Sequence, residues 1–316
     1  MDHDPTTSAV TIPPPSSLAE GAVEGLLSAA VRLVLGAGKL RRRIHREIIA
    51  DLDERLATIA RSAGDSGIDA FGMEPAALRT VSVGAALLYR YYFRCQAEGL
   101  ENLPPGPAIL VANHGGQLPI DGVMITTALL LDGDPPRLAR SLADHWVPTL
   151  PFVSTLYARC GVVLGSPENA RRLLAEGATL LVFPEGIAGI SKTIDRAYEL
   201  QPFGPGFLRL AIETGAPVVP VAVVGSEEQY PTLYNLQAVS KALSLPSFPI
   251  WAQMAIPVLG LLPLPVRYRL RFGEALRFAG DQDEEDAVIF EKVEEVRGRL
   301  RELIRETRAT RRSVFW

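Results

Sequence analysis

Ala108-Ile-Leu-Val-Ala112-Asn113-His114-Gly-Gly-Gln-Leu-Pro-Ile-Asp121-Gly122 decides how this chain is read. Its first five residues are apolar, of strand length and without a polar face, which predicts a strand buried on both sides. A histidine follows at the strand's end, then two glycines, then an aspartate where a helix predicted over Gly122–Leu131 begins. Histidine changes charge near neutral pH, and a carboxylate beside it fixes its tautomer and stabilises the imidazolium formed when it takes a proton. The glycines let the loop fold back so that Asp121 reaches His114. Taken alone, the same residues also read as an N-cap aspartate and an incidental loop histidine.

The pattern continues outward. Apolar runs recur at Val162–Leu164, Thr179–Phe183 and Val218–Val224, with helical stretches at Pro167–Glu176 and Gly206–Thr214 between them. Tyr268–Phe272 alternates and predicts one more strand. Apolar strands alternating with helices predict an α/β fold, a mostly parallel sheet with helices on both faces. Sites in such folds form at the carboxyl ends of strands, where His114 lies.

Upstream, residues 1–16 carry Pro5, Pro13, Pro14 and Pro15 and read as a mobile tail. A long amphipathic helix is predicted over about 17–61 through Leu40, Ile44, Ile48, Leu52, Leu56 and Ile59, and a shorter one over Pro75–Phe93. The apolar stretch Leu26–Leu35 is followed by Lys39, Arg41, Arg42, Arg43 and Arg46. That is the arrangement of a membrane-surface helix, and equally of a helix packed on its own domain or on a second subunit. Downstream, Val293, Val296, Leu300 and Ile304 predict a C-terminal amphipathic helix over Glu284–Arg308. The organisation is therefore a tail (1–16), a helical N-terminal region (17–98), an α/β domain (99–280) and a C-terminal helix (281–316).

Composition excludes several classes. With 316 residues, 47% of them hydrophobic and 22% charged, the chain is globular rather than disordered. A net charge of −4 weighs against a nucleic-acid partner. Two cysteines, Cys95 and Cys160, and four scattered histidines form neither a disulfide framework nor a metal-ligand cluster. The start Met1-Asp-His-Asp-Pro5 lacks the basic region of an export signal, which predicts a cytosolic, reducing setting. Ala242–Val266 has no charged residue and is long enough to span a bilayer. Its five prolines argue against a straight spanning helix.

A second motif, Phe183-Pro184-Glu185-Gly186, closes the Thr179–Phe183 run, so both motifs fall at carboxyl ends of strands. Arg159-Cys-Gly-Val-Val-Leu164 precedes it and Pro217-Val-Val-Pro220-Val221 follows. These four blocks, in this order over about Gly99–Gly280, resemble the glycerolipid acyltransferase family that includes the lysophosphatidate acyltransferases. The family's usual spacing leaves four residues between histidine and aspartate. Here six intervene, so the likeness is to a long-loop variant.

The resemblance implies His114 as general base on the acceptor hydroxyl and Asp121 as its orienting carboxylate. It implies Glu185 and Gly186 in the acceptor-binding turn, with Asn113, Gly115, Gly116, Phe183, Pro184 and Pro220 shaping the site. The implied donor is an acyl-CoA or acyl-carrier-protein thioester, a substrate rather than a bound cofactor, and the implied place is the inner, cytoplasmic face of a membrane, with membrane lipid as partner. No Gly-x-Ser-x-Gly is present, which favours direct attack by the hydroxyl over an acyl-enzyme. Phosphate-binding members carry arginine where this chain has Gly165-Ser166 and Ile187-Ala188. That favours a neutral glyceride or a lysophospholipid with a larger headgroup, with Arg159, Lys192 or Arg196 as substitute cations for a phosphate.

Within this reading Ala242–Val266 is a broken segment against lipid, the lining of an acyl-chain tunnel, or an apolar connection under the C-terminal helix. Trp146, Phe152 and Tyr157 read as core or tunnel wall. Glu227, Glu228 and Tyr230 read as acceptor contacts or a solvated loop, His45 reads as solvated, and His145 has no evident partner. Two other functions fit the same residues: a catalytically idle lipid-binding protein, and a thioesterase in which water replaces the acceptor at His114.

Overall fold

The computed structural model describes residues 48–63, 67–116, 118–147, 153–242, 247–256, 260 and 262–315. The tail at 1–16, the apolar-to-basic part of the long helix with His45, and Phe152 lie outside the described residues.

Among the described residues two helices come first, α1 (Ala50–Ala63) and α2 (Pro75–Leu87), the second continuing into a π-helical turn over Leu88–Tyr92. Strands β1 (Gln96–Glu98) and β2 (Ala108–Ala112) lead to α3 (Ile120–Leu131). Then follow β3 (Ala139–Ala143), α4 (Val153–Arg159), β4 (Val163–Leu164), α5 (Pro167–Ala175) and β5 (Thr179–Val182). Next are α6 (Gly206–Thr214), β6 (Val218–Val224), β7 (Thr232–Asn235), β8 (Pro249–Trp251), β9 (Arg269–Phe272) and α7 (Asp286–Thr310).

Among the described residues, seven strands form one sheet in the order β1-β9-β6-β2-β5-β3-β4, and β7 and β8 make a separate ribbon. The run from β6 to β4 is parallel; β9 pairs antiparallel with β6, and β1 lies parallel to β9. The fold is thus α/β with a mostly parallel sheet. Strands β2 and β6 are buried at every residue, as a central strand covered on both faces requires.

Alternation along these strands divides the core in two. Leu110, Ala112, Val219, Val221 and Val223 face α1, α2 and α3 through Leu52, Val83, Ala86, Met124 and Ile125. Ile109, Val111, Val218, Ala222 and Val224 face α5, α6 and α7 through Leu173, Leu208, Val293, Val296 and Leu300. Each fully buried valine or leucine contributes about 1.5–3 kcal/mol. The described part of the N-terminal helical region therefore shares one core with the sheet.

Several elements were not legible locally. Strand β3 carries Arg140 and Ser141, which break the apolar run, and β1, β7 and β8 are short strands with polar residues or proline. Within Ala242–Val266 the described residues form β8 and a 3-10 turn at Ala252–Ala255. No helix among the described residues is long and apolar enough to cross a membrane.

Register places the motifs. Val111 of β2 pairs with Val182 of β5, and Ala112 with Val221 of β6. Residues 113–116, 183–186 and 225–229 consequently leave the same edge of the sheet side by side.

Candidate active site

Asn113 ends β2 by extending its ladder with a side chain. Its Nδ2 donates to the Val223 carbonyl at 2.9 Å and its Oδ1 accepts from the Val223 amide at 2.8 Å. The next residue is thereby fixed relative to β6.

His114 Nδ1 lies 2.6 Å from Asp121 Oδ2. The same Asp121 oxygen accepts from the Gly115 amide at 3.1 Å, and its Oδ1 accepts from Gly122 at 2.8 Å. Asp121 is fully buried in the first turn of α3, where the positive end of the helix dipole favours a carboxylate. A carboxylate accepts, so in the neutral ring Nδ1 carries the proton and Nε2 the lone pair. Phe183 stacks on the imidazole, with ring centroids 4.2 Å apart and planes 24° from parallel. Ring orientation is thus set by a hydrogen bond on one edge and a face contact.

The six-residue loop closes this pair because of its glycines. Gly116 has φ of 80°, a left-handed conformation that side chains resist. Gly115 is pressed against the turn after β6: a Cβ on it would lie 2.6 Å from Glu227 Cγ and 2.9 Å from Ser226 Oγ.

Glu185 does not point into open space. Its side chain is fully buried, with Oε1 accepting from the His114 amide at 2.9 Å and Oε2 from the Gln201 amide at 2.7 Å. Lys192, placed among the acceptor-binding residues by the sequence reading, is buried beside it. Its Nζ lies 3.5 Å from Glu185 Oε2, donates to Glu227 Oε1 at 2.8 Å, and approaches the Glu199 carbonyl at 3.3 Å. Burial pushes the Glu227 carboxyl up to about 7, against the downward pull of Lys192. Glu228 bonds Tyr198 and Arg311, and Tyr230 is buried. The loop after β6 is therefore a packed, charge-paired block and not a solvated one.

A cavity of about 960 Å³ opens beside the pair. His114, Phe183, Pro184 and Gly186 line it together with apolar side chains of α2, α3, the short helix Ile187–Ile190, and α6. Trp146 and Tyr157 are also in its wall, as the sequence reading had them. Burial pushes the Tyr157 hydroxyl up to about 12, and the charge of Asp121 adds to the effect. Tyr157 is thus a neutral donor at neutral pH.

The cations considered for a phosphate are placed elsewhere. Arg159 donates to Glu74 at 2.7 Å, and neither it nor Lys192 lines the cavity; Arg196 pairs with Glu199 at 2.8 Å. The arginines that do line it, among the described residues, are Arg171 and Arg209. Arg171 is paired with Glu213 and Arg209 with Asp286. Pro220 sits on β6 opposite Val111 and packs against Gly273, away from the cavity wall. His145 has a partner after all, Asp144 at 3.3 Å, on the surface.

Sequence reasoning missed Gly189. A Cβ there would stand 2.9 Å from His114 Cβ and 3.0 Å from Glu185 Cβ, so only glycine lets the short helix close under both motifs. It missed Gln201 as well, whose contribution is a backbone amide that any residue but proline supplies.

Residues 94–224 match a family model described as Acyltransferase. An uncharacterized protein of Mycobacterium bovis is 36% identical over 282 residues, which are 84% of this chain and 78% of that protein. A protein of Gallus gallus named "DGAT1/2-independent enzyme synthesizing storage lipids" is 27% identical over 191 residues, 60% of this chain and 54% of its own length. The crystal structure of the 1-acyl-sn-glycerophosphate (LPA) acyltransferase PlsC from Thermotoga maritima aligns with a TM-score of 0.46 and 18% identity, covering 93% of this chain and 99% of that one.

Proposed function

This chain belongs to the glycerolipid acyltransferase family, and from that premise we propose that it transfers a fatty acyl group from a thioester to the hydroxyl of a glycerolipid. The observation that carries the reading is the 2.6 Å contact of Asp121 with His114 Nδ1 at the wall of a largely apolar cavity. It leaves Nε2 as the ring nitrogen for an incoming hydroxyl.

The acceptor hydroxyl gives its proton to Nε2 as its oxygen bonds to the thioester carbonyl carbon. The tetrahedral intermediate then collapses, the carbon–sulfur bond breaks, and the leaving thiolate takes the proton back from the imidazolium. Asp121 stabilises the imidazolium between the two steps. The acyl chain lies in the cavity, where each buried CH₂ contributes roughly 0.8 kcal/mol.

A neutral glyceride is the favoured acceptor. Among the described residues both cavity-lining arginines have carboxylate partners, and the places where phosphate-binding relatives carry arginine are Gly165-Ser166 and Ile187-Ala188. The name of the Gallus gallus relative, with its storage lipids, supports the same choice. The donor is acyl-CoA, with acyl-carrier protein as the alternative. The working place is the cytoplasmic face of a membrane, and the exposed Leu233, Tyr234, Met254, Ile256 and Leu262 at and after the β7–β8 ribbon support a lipid contact.

The test is a mass-spectrometric turnover assay of the purified full chain with palmitoyl-CoA and a panel of acceptors in detergent. The panel holds monoacylglycerol, diacylglycerol, lysophosphatidate and larger lysophospholipids, with His114→Ala alongside. Ester formation on neutral glycerides, absent from the variant, is the expected result. Product on lysophosphatidate alone would refute the neutral acceptor. Thioester loss without acceptor would make the protein a thioesterase, and lipid retained without turnover on CoA or carrier-protein donors would make it a lipid-binding protein.

A further inference from the structure

The cluster of Glu185, Lys192 and Glu227 lies off the cavity, and the transfer outlined above uses none of its charges directly. The Glu185 side chain is fully buried and that of Lys192 is 2% exposed, so both ions sit away from water. A carboxylate in such a place needs a cation and donors for its lone pairs, or it takes up a proton. Glu185 has one backbone amide on each oxygen, from His114 and from Gln201, and its cation is Lys192. Lys192 is held in turn by Glu227, whose Cγ packs where Gly115 has no side chain. The cluster therefore grips the loop at His114 and at the residue after it.

We infer that Lys192 is a positioning residue for the acyl transfer, acting through Glu185 to hold the backbone of His114 in register with Asp121. This rests on the reading of His114 as general base. With the ammonium beside it, Glu185 accepts at both oxygens. A protonated carboxyl would turn one of those oxygens into a donor facing an amide donor. Either His114 or Gln201 would lose its partner, and the loop that carries the imidazole would loosen. The reacting geometry tolerates little of that, because misplacement on the order of 1 Å costs about a hundredfold in rate. A residue with this role touches no substrate, so its loss lowers kcat and spares the acceptor KM.

Four full-length proteins test this: wild type, Lys192→Met, Lys192→Met/Glu227→Gln, and His114→Ala. Each is measured for kcat, acceptor KM, the pH profile of kcat, and thermal melting. Lys192→Met is expected to lower kcat by about thirtyfold with KM within about twofold. Its acid limb moves to higher pH, because a carboxyl that has lost its cation keeps its proton longer. The double variant matches the charge that the wild-type cluster carries with Glu227 ionised, so above about pH 7 it regains melting temperature, and it also covers the case in which Lys192→Met fails to fold. It is expected to keep the kcat deficit. A double variant with wild-type kcat would overturn the inference, since Lys192 would then only balance charge. So would a tenfold rise in acceptor KM at unchanged kcat, which would put Lys192 on the acceptor, and so would an unchanged Lys192→Met. An active His114→Ala would instead bring down the general-base reading, whatever Lys192 does.

Discussion

The carboxylate of Glu185 accepts a hydrogen bond from the backbone amide of His114 at 2.9 Å, across 71 positions of sequence. This bond joins the loop after β2 to the turn after β5. Parallel pairing of those strands, Val111 beside Val182, brings the two segments to the same edge. Two motifs that read as separate features of the chain are one structural unit, with Asp121 on the imidazole and Glu185 on the peptide of the same histidine.

The imidazole itself is the first prediction. His114→Ala is expected to abolish turnover while melting stays within a few degrees of wild type. Asp121→Asn keeps the shape of the contact but presents an amide that favours the wrong tautomer, and should lower kcat on the order of a thousandfold with donor binding little changed. Steady-state kinetics checked against circular dichroism decide it; a wild-type rate in Asp121→Asn would mean that another group orients the base.

Gly189 lies outside both motifs yet meets both. Its substitution by alanine would press a methyl to 2.9 Å from His114 Cβ and 3.1 Å from the His114 carbonyl oxygen. Overpacking of this kind costs about 1–3 kcal/mol. Gly189→Ala should therefore lose stability by that amount and lose activity more than tenfold. Gly298→Ala, on α7 and off the cavity, where a Cβ would meet nothing within 4 Å, is the control. Equal activity in the two variants would count against the close approach.

Under the proposed function the cavity wall sets the acyl-chain length. Leu78, Val81, Ser82 and Ala85 present one face of α2 to it, at helical spacing. Ala85→Phe fills part of that space and should shift the preferred donor toward shorter chains, with the rate on short acyl-CoA retained. A competition assay over C8 to C18 thioesters reads the shift, and an unchanged profile would place the chain elsewhere.

Glu227 links stability to pH. Burial holds its carboxyl at about 7 in the folded protein, from an ordinary 4.5. The folded form binds that proton more tightly than the unfolded form, so the associated stability is full below about 4.5 and is lost as pH rises through 7. The loss is on the order of 3 kcal/mol. Urea unfolding of wild type and Glu227→Gln from pH 4.5 to 8 should show wild type losing ground to the variant across this window and no further above it. Parallel curves would remove Glu227 from the account.

Much of this site was legible. The apolar runs that became β2, β5 and β6 carry no charged residue to disguise them, and a histidine at the end of one with an aspartate at the next helix start is a local pattern. Two glycines at 115 and 116 announced a tight loop. What could not be read were partners brought from a distance. Arg159 and Lys192 looked like cations for a phosphate because their carboxylates, Glu74, Glu185 and Glu227, lie far from them or in loops of unreadable course. Arg140 hid β3 for the same reason, since its partners Asp69 and the Gly161 carbonyl come from other segments.

The sequence by itself determined the layered α/β architecture and the residues able to take a proton, because burial periodicity and side-chain chemistry are local properties of a chain. Only the tertiary structure decided which charges face the cavity and which are consumed in holding the loop. Ion pairing inside a protein is a matter of a few ångströms between segments tens of residues apart, and strand register, which local pattern leaves open, sets those distances.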